Sequence, residues 1–294
     1  MRMKPPRQRT GDFCVSAAKI EDQHTSLVEA LRRHIARLEH NSPQFETRRL
    51  RGGPWTTGVP VIDQHLGLGG LARAGLHDVS PKTYGDMPSA MGFALALALR
   101  RPADPSEPRP LLWCRLAREE REYGRLYGHG LQTLGLARQR FVTVTLKQPV
   151  ALLWTMEEAL KSGAFSLVIA DADARHASLT ATRRLSLAAH AGKSAGILVF
   201  ARPSPGATVS HTRWAATAGT SRGPPYDSAA PGDPVWRVEL TRARGGRPGA
   251  WNLEWQHAPH RFNLVPGFRG GTLHPRADET GEVRGPQAPA LRAG

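Results

Sequence analysis

Between residues 76 and 200, short apolar runs alternate with stretches of helical period. No other feature of the chain constrains its fold as tightly. The runs at 76–79, 111–114, 141–146, 167–170 and 196–200 are too short for helices and bear apolar residues on both faces. The segments between them, 89–101, 122–134, 150–162 and 178–191, carry apolar residues at helical spacing. The last three meet a stop at Gly135, Gly163 and Gly192. Strands apolar on both faces, each followed by a helix, predict an α/β fold. Five strands form a mostly parallel sheet flanked by helices, with right-handed crossovers.

The pattern changes after Ala201. Residues 203–234 are rich in Gly, Pro, Ser and Thr and suggest no regular element, so a long functional or mobile loop is expected. Trp236, Val238 and Leu240 then alternate with polar residues, as do Trp251, Leu253 and Trp255. This predicts a C-terminal β-hairpin with one apolar face, its tip carrying Arg242, Arg244 and Arg247. At the other end, residues 1–23 read as a loose basic N-terminus. An N-terminal helix is expected within 24–44, with an apolar stripe of Leu27, Leu31, Ile35 and Leu38 that ends before Pro43. The main domain is placed at 50–268 and a disordered tail at 269–294.

Charge narrows the choice of partner. The chain has 40 Lys+Arg against 25 Asp+Glu, a net +15, and only six of the cations are lysines. Such an excess suits a polyanion, most commonly nucleic acid, although a GC-rich coding sequence also produces surface arginine. Two distant cysteines, Cys14 and Cys114, exclude a disulfide scaffold and fit a reducing compartment. The longest apolar run, residues 93–99, is far too short to span a membrane, and no apolar stretch follows the basic start. A cytoplasmic protein without a membrane partner is expected.

The segment from Thr57 to Asp63, followed by Leu66, Gly67, Gly69, Gly70 and Leu71, leads into the first run. Gly58 and Pro60 suit a turn, Asp63 a helix cap, and the glycines a tight corner. This order resembles the entry to a RecA-type ATPase core. In that fold the next loop holds phosphate, with two glycines, a lysine and a hydroxyl at fixed spacing. Here the loop runs from Ser80 to Ser89. With Ser89 in the hydroxyl position, Pro88 stands where the lysine belongs, and Met87 and Lys82 stand where the glycines belong. Asp86 adds a negative charge. Lys82, Gly85 and Ser89 are then vestiges of a nucleotide site, and no cofactor is expected.

Asp171, at the end of the run 167–170, is in the position of a Walker-B acid, which would hold Mg²⁺. Without the lysine it reads better as a strand-end cap, and Asp171→Ala is expected to leave function intact. The twelve histidines are scattered without ligand spacing, and no metal site is expected.

Three further stretches sharpen the resemblance: Glu122 to Leu136, Trp154 to Leu160, and Leu179 to Ala189. They are similar, in this order, to recurring motifs of the ImuA family. Thr212 to Trp214 and Trp251 to Trp255 resemble that family's sequence after the last core strand. The similarity covers roughly residues 50–268. It implies a degenerate RecA-like core and an accessory role in DNA-damage-induced (SOS) mutagenesis and translesion synthesis. The implied partners are ImuB, a Y-family polymerase relative, and an error-prone replicative-type polymerase; RecA and DNA are further candidates of the scaffold reading. A nucleoid-associated place in the cell follows, and the family is also linked to SulA-like division inhibitors. Three functions compete: a non-catalytic scaffold, a DNA-dependent ATPase of the RecA/RadA class, and a division inhibitor. The state of the loop 80–89 favours the scaffold. On this reading Arg242, Arg244 and Arg247 are the DNA-binding candidates, and the stripe of Leu27, Leu31, Ile35 and Leu38 is the partner-binding candidate.

Overall fold

The computed structural model describes residues 55–266 apart from 68, 102–108, 137–139, 204–205, 225 and 228–229. The segments 1–23, 24–44 and 269–294, with Leu27, Leu31, Ile35 and Leu38, lie outside the described residues. A short helix α1 (Pro60–Asp63) precedes strand β1 (Gly75–Pro81), and a 3-10 turn (Tyr84–Asp86) leads into α2 (Met87–Leu99). There follow β2 (Leu111–Leu116), α3 (Ala117–Tyr123), α4 (Gly128–Thr133), β3 (Phe141–Leu146) and α5 (Pro149–Ser162). Then come β4 (Leu167–Ala172), α6 (Leu179–Ala191) and β5 (Ala195–Phe200). The chain closes with β6 (Thr212–Ala218), β7 (Val235–Ala243), β8 (Gly249–Gln256) and β9 (Arg261–Val265).

The strands form one sheet in the order β3-β2-β4-β5-β1-β6-β7-β8-β9. The five expected parallel strands are present, and β6 adds a sixth, parallel to β1. From β6 onward the pairing is antiparallel, so the sheet is mixed. The expected hairpin is the middle of this meander.

Two strands escaped the sequence reading. β6 lies inside the segment read as loop, because its run of Thr, Ala and Arg around Trp214 lacks the apolar weight of a buried strand. Tertiary contacts place it. Buried Asp78 of β1 accepts hydrogen bonds from the Thr208 and Ser210 hydroxyls, and Arg213 Nε lies 3.4 Å from its carboxylate. These tie the crossing chain to the central strand. β9 is a short strand that only pairing with β8 identifies.

The expected helix 122–134 is also corrected. It is broken, because Gly124 takes φ +83° and ends α3, and α4 restarts at Gly128. In contrast, α5 and α6 match the expectation closely. Gly163 ends α5 in the left-handed conformation, and a Cβ on Gly192 would run into the Leu160 carbonyl where the two helices converge.

The two faces of the sheet carry separate cores. α5 and α6 bury Leu152, Met156, Leu160 and Leu185 against Leu76, Val168 and Leu198. On the other face α2 is apolar on nearly every side, which only a fully enclosed helix tolerates. The meander curls around it, so Phe93 meets Trp214 at 5.6 Å, Phe262 at 5.9 Å and Trp236 at 6.2 Å. β3 is the exception to the expected double coverage: it is the sheet edge and largely exposed. Among the described residues no helix is long and apolar enough to cross a membrane.

Candidate functional site

In a parallel sheet the loops after the strands converge at the carboxyl ends, and ligands bind there. Here those loops frame a crevice of about 520 Å³. Tyr84 comes from the loop after β1, Arg118 and Glu119 from the first turn of α3 after β2, Asp173 and Arg175 from the loop after β4, and Arg202 from that after β5. Asp173 organises it. Its carboxylate accepts from Arg175 Nη2 at 3.1 Å, the Arg175 backbone N–H at 2.9 Å and Arg118 Nη2 at 2.8 Å. Arg118 also reaches Glu119 at 2.9 Å. The Arg175 hydrogen bond, opposed by burial and reinforced by Arg118, holds the Asp173 carboxyl well below the usual range. The guanidinium groups of Arg118 and Arg175 are thus engaged by the protein's own carboxylates, which compete with any anionic ligand there. Sequence reading missed Arg118, Arg175 and Arg202. Their signal was positional, since each follows closely on the end of a parallel strand.

The loop after β1 is arranged in the same spirit. Lys82 turns away to pair with Glu239 of β7 at 2.9 Å. Gly85 lies in the 3-10 turn, and Pro88 and Ser89 in the first turn of α2. The Asp86 carboxylate folds back into the loop. It accepts from the Thr83 N–H at 2.9 Å, the Thr83 hydroxyl at 2.7 Å and the Ala218 N–H at 3.2 Å. Slight burial opposes its ionisation, but the hydrogen bonds from Thr83, Thr217 and Ala218 outweigh this and lower its pKa. The loop therefore carries an internal anion that answers its own donors. Asp63, expected as a cap of α1, instead reaches back to the Thr57 N–H and hydroxyl, both at 2.8 Å, and fixes the entry turn.

Asp171 is the penultimate residue of β4, but it does not cap a loop. It is fully buried and receives Trp113 Nε1 at 3.0 Å, the Leu116 N–H at 3.0 Å and Arg115 Nε at 3.3 Å. Burial pushes its carboxyl up, while Arg115 and these hydrogen bonds work against that shift. It joins β2 to β4 and neutralises a buried guanidinium, so its role is structural. Asp171→Ala is therefore expected to lower stability, a readout separate from its expected lack of effect on function.

The scattered histidines include three that the fold collects. The His77 and His211 rings lie 6.2 Å apart, and His190 and His211 6.1 Å. His77 Nε2 faces the Ala72 carbonyl at 2.9 Å, and its Nδ1 faces the Thr212 hydroxyl at 2.8 Å. Both nitrogens are therefore engaged by the protein. Among the described residues, no group of three His, Cys, Asp or Glu is placed to hold a metal ion.

The hairpin tip is pinned rather than free. His65 Nδ1 lies 2.9 Å from the Pro248 carbonyl, and the Arg247 N–H donates to the His65 carbonyl at 3.0 Å. Gly67 is required beneath it, since a Cβ there would strike the backbone of Arg244 and Gly245. Arg242 lies within β7 and donates to the Thr208 carbonyl at 2.7 Å, Arg244 is half-buried, and Arg247 is exposed. If this end contacts DNA, binding is sequence-independent and falls steeply with salt. Replacing Arg242, Arg244 and Arg247 together by alanine should then reduce both affinity and salt slope in a fluorescence-anisotropy titration. Undiminished affinity would remove the tip from consideration.

No family model matches the chain. The Protein ImuA sequences of two strains of Caulobacter vibrioides are each 34% identical to it over 221 residues. The match covers 71% of this chain and 87% of each relative. Among solved structures, SulA from Pseudomonas aeruginosa aligns at 23% identity with a TM-score of 0.34. It covers 42% of this chain and 96% of that one, a likeness too slight to carry an argument. The similarity to the Caulobacter sequences, by contrast, spans more than two thirds of this chain and most of the length of each relative, and on that ground this chain belongs to the ImuA family.

Proposed function

We propose that this chain is a non-catalytic accessory protein in DNA-damage-induced mutagenesis and translesion synthesis. In this reading it is a degenerate RecA-like domain that acts as a scaffold. Its partners are an ImuB-type Y-family polymerase relative, an error-prone replicative-type polymerase and RecA, in the cytoplasm at the nucleoid. Family membership supports the pathway. The observation that carries the non-catalytic part is Asp86. A phosphate approaching the loop after β1 would meet a carboxylate already bonded to Thr83 and Ala218, with no lysine to offset it, because Pro88 holds that position and Lys82 pairs with Glu239. Phosphoryl transfer depends on such cations to stabilise developing charge.

The purified protein should show no saturable binding of a fluorescent ATP analogue and no DNA-stimulated hydrolysis. Affinity capture from DNA-damaged cells should recover a Y-family-like protein. Turnover that rises with single-stranded DNA would overturn the scaffold and favour the ATPase. Capture without any polymerase relative would remove the pathway assignment.

A further inference from the structure

The two edges of the sheet differ. β9 begins at Arg261 and is followed by Pro266, a charge and an imino acid of the kind that blunts an edge. β3 carries no such residue within the strand, and its charges, Arg140 and Lys147, lie just outside it. Its six residues, Phe-Val-Thr-Val-Thr-Leu, contain no charge and no proline, and its ladder with β2 runs unbroken from Phe141 to Leu146. Among the described residues, the outer side of this strand has no partner in the sheet. Val142 and Val144 are exposed on one face.

On its other face, Phe141, Thr143 and Thr145 line a cavity of about 450 Å³. Leu126, Leu131 and Leu136 supply apolar wall. Arg115, paired in register with Thr145, also lines it and is 2% exposed. Its Nε is turned to Asp171 and its Nη1 donates to the Gly124 carbonyl at 2.9 Å. Nη2 is buried and has no partner among the described residues. An unanswered buried donor is costly, so a ligand that supplied an acceptor would bind with that much more advantage. Arg125 is a further cation at the mouth of the cavity, and Arg140 and Lys147 flank β3 in the chain. Glu120, bonded to Arg125 and to the Thr145 hydroxyl, is the one acid in the lining.

An added strand would meet this arrangement in a defined way. Its backbone would pair with the open side of β3, and every second side chain would fall on the cavity face beside Thr143 and Thr145. We propose that β3 and the cavity together form a docking groove for an extended acidic segment of a partner protein, which joins the sheet as a further strand and sets a carboxylate beside Arg115. The inference rests on the accessory role, which requires a partner, and specifies the chemistry of that partner's contact.

The test uses the full-length chain, immobilised, and a phage-displayed library of random twelve-residue peptides. Enriched peptides should alternate apolar or β-branched residues with Asp or Glu. A synthetic peptide of the enriched sequence should bind wild type at least tenfold more tightly than Thr143→Glu or Thr145→Glu. Both positions are exposed, and unchanged melting temperatures would show that the variants fold. Enrichment of peptides without acids, no enrichment, or equal affinity for the variants would overturn the proposal. So would a wild-type dimer that Thr143→Glu converts to monomer, since a second copy would then hold the edge. These outcomes are independent of the polymerase capture described above. Loss of that capture with peptide selection intact would remove the pathway and leave the groove standing.

Discussion

Asp171→Ala should lower the melting temperature by roughly 6–20 °C. The substitution leaves Arg115, whose side chain is 2% exposed, without its counter-charge, and frees the Trp113 indole N–H and the Leu116 amide. Breaking a buried pair by removing one partner costs about 3–5 kcal/mol, and each kcal/mol shifts the midpoint of a domain this size by roughly 2–4 °C. Asp171→Asn should lose less, because the amide oxygen still accepts one of the three donors. Replacing Arg115 and Asp171 together by methionine and leucine should recover much of the loss, since no charge is then stranded. Thermal melts followed by circular dichroism decide the matter. A melting point for Asp171→Ala within 2 °C of wild type would show that the pair does not hold β2 to β4.

Mild acid should destabilise the protein through its buried histidines. Burial lowers the His77 pKa to about 4, with its hydrogen bond to Ala72 opposing and Arg101 adding to the shift. Burial also lowers His211 to about 3, helped by His77, Arg244, His190 and Arg242. The sign follows from proton counts. In the unfolded chain both groups titrate near 6.5, so below that pH the unfolded state binds protons that the native state refuses. Stability is therefore full above 6.5 and is lost as pH falls toward 4, at up to about 1.4 kcal/mol per pH unit for each histidine. Burial raises the carboxyls of Asp78 and Asp171, which acts in the opposite direction at the low end. The histidine share is thus best read as a difference between proteins. In urea titrations from pH 7 to 4.5, His211→Gln should have a slope of stability against pH flatter than wild type by about one proton. Parallel slopes would mean that His211 is protonated in the native state.

The alternation of apolar runs and helices disclosed the five parallel strands and most of their helices. Burial on both faces imposes a composition on each of those strands that survives reading without coordinates. β6 was hidden for the converse reason. Its neighbours ask for small residues, Ala215 and Ala216, and Asp78 with Thr208 and Ser210 guides it into place through polar contacts 130 or more positions apart. The loop after β1 was legible as having lost its lysine, but not as having gained a carboxylate that closes on its own donors, which depends on Ala218 from β6. Asp171 was found near the end of its strand, but its partners were not. Sequence placed it at a strand end, and only the partner Arg115 on the neighbouring strand explains a carboxylate in the core. The docking groove was invisible because the run 141–146 resembles the buried strands, and exposure at a sheet edge leaves no mark in so short a segment.

The position of β1 between β5 and β6 has a consequence for the birth of the protein. His77 lies beside Thr212, 135 positions later in the chain. At synthesis rates of about 5–20 residues per second, the central strand leaves the ribosome roughly 7–27 s before its last neighbour exists. During that interval β1 and the apolar helix α2 have no sheet to enter, and their surfaces are open to any holdase that meets the nascent chain. A pause in translation between the codons for β1 and β6 prolongs that exposure, whereas one after β9 gives the finished sheet time to close.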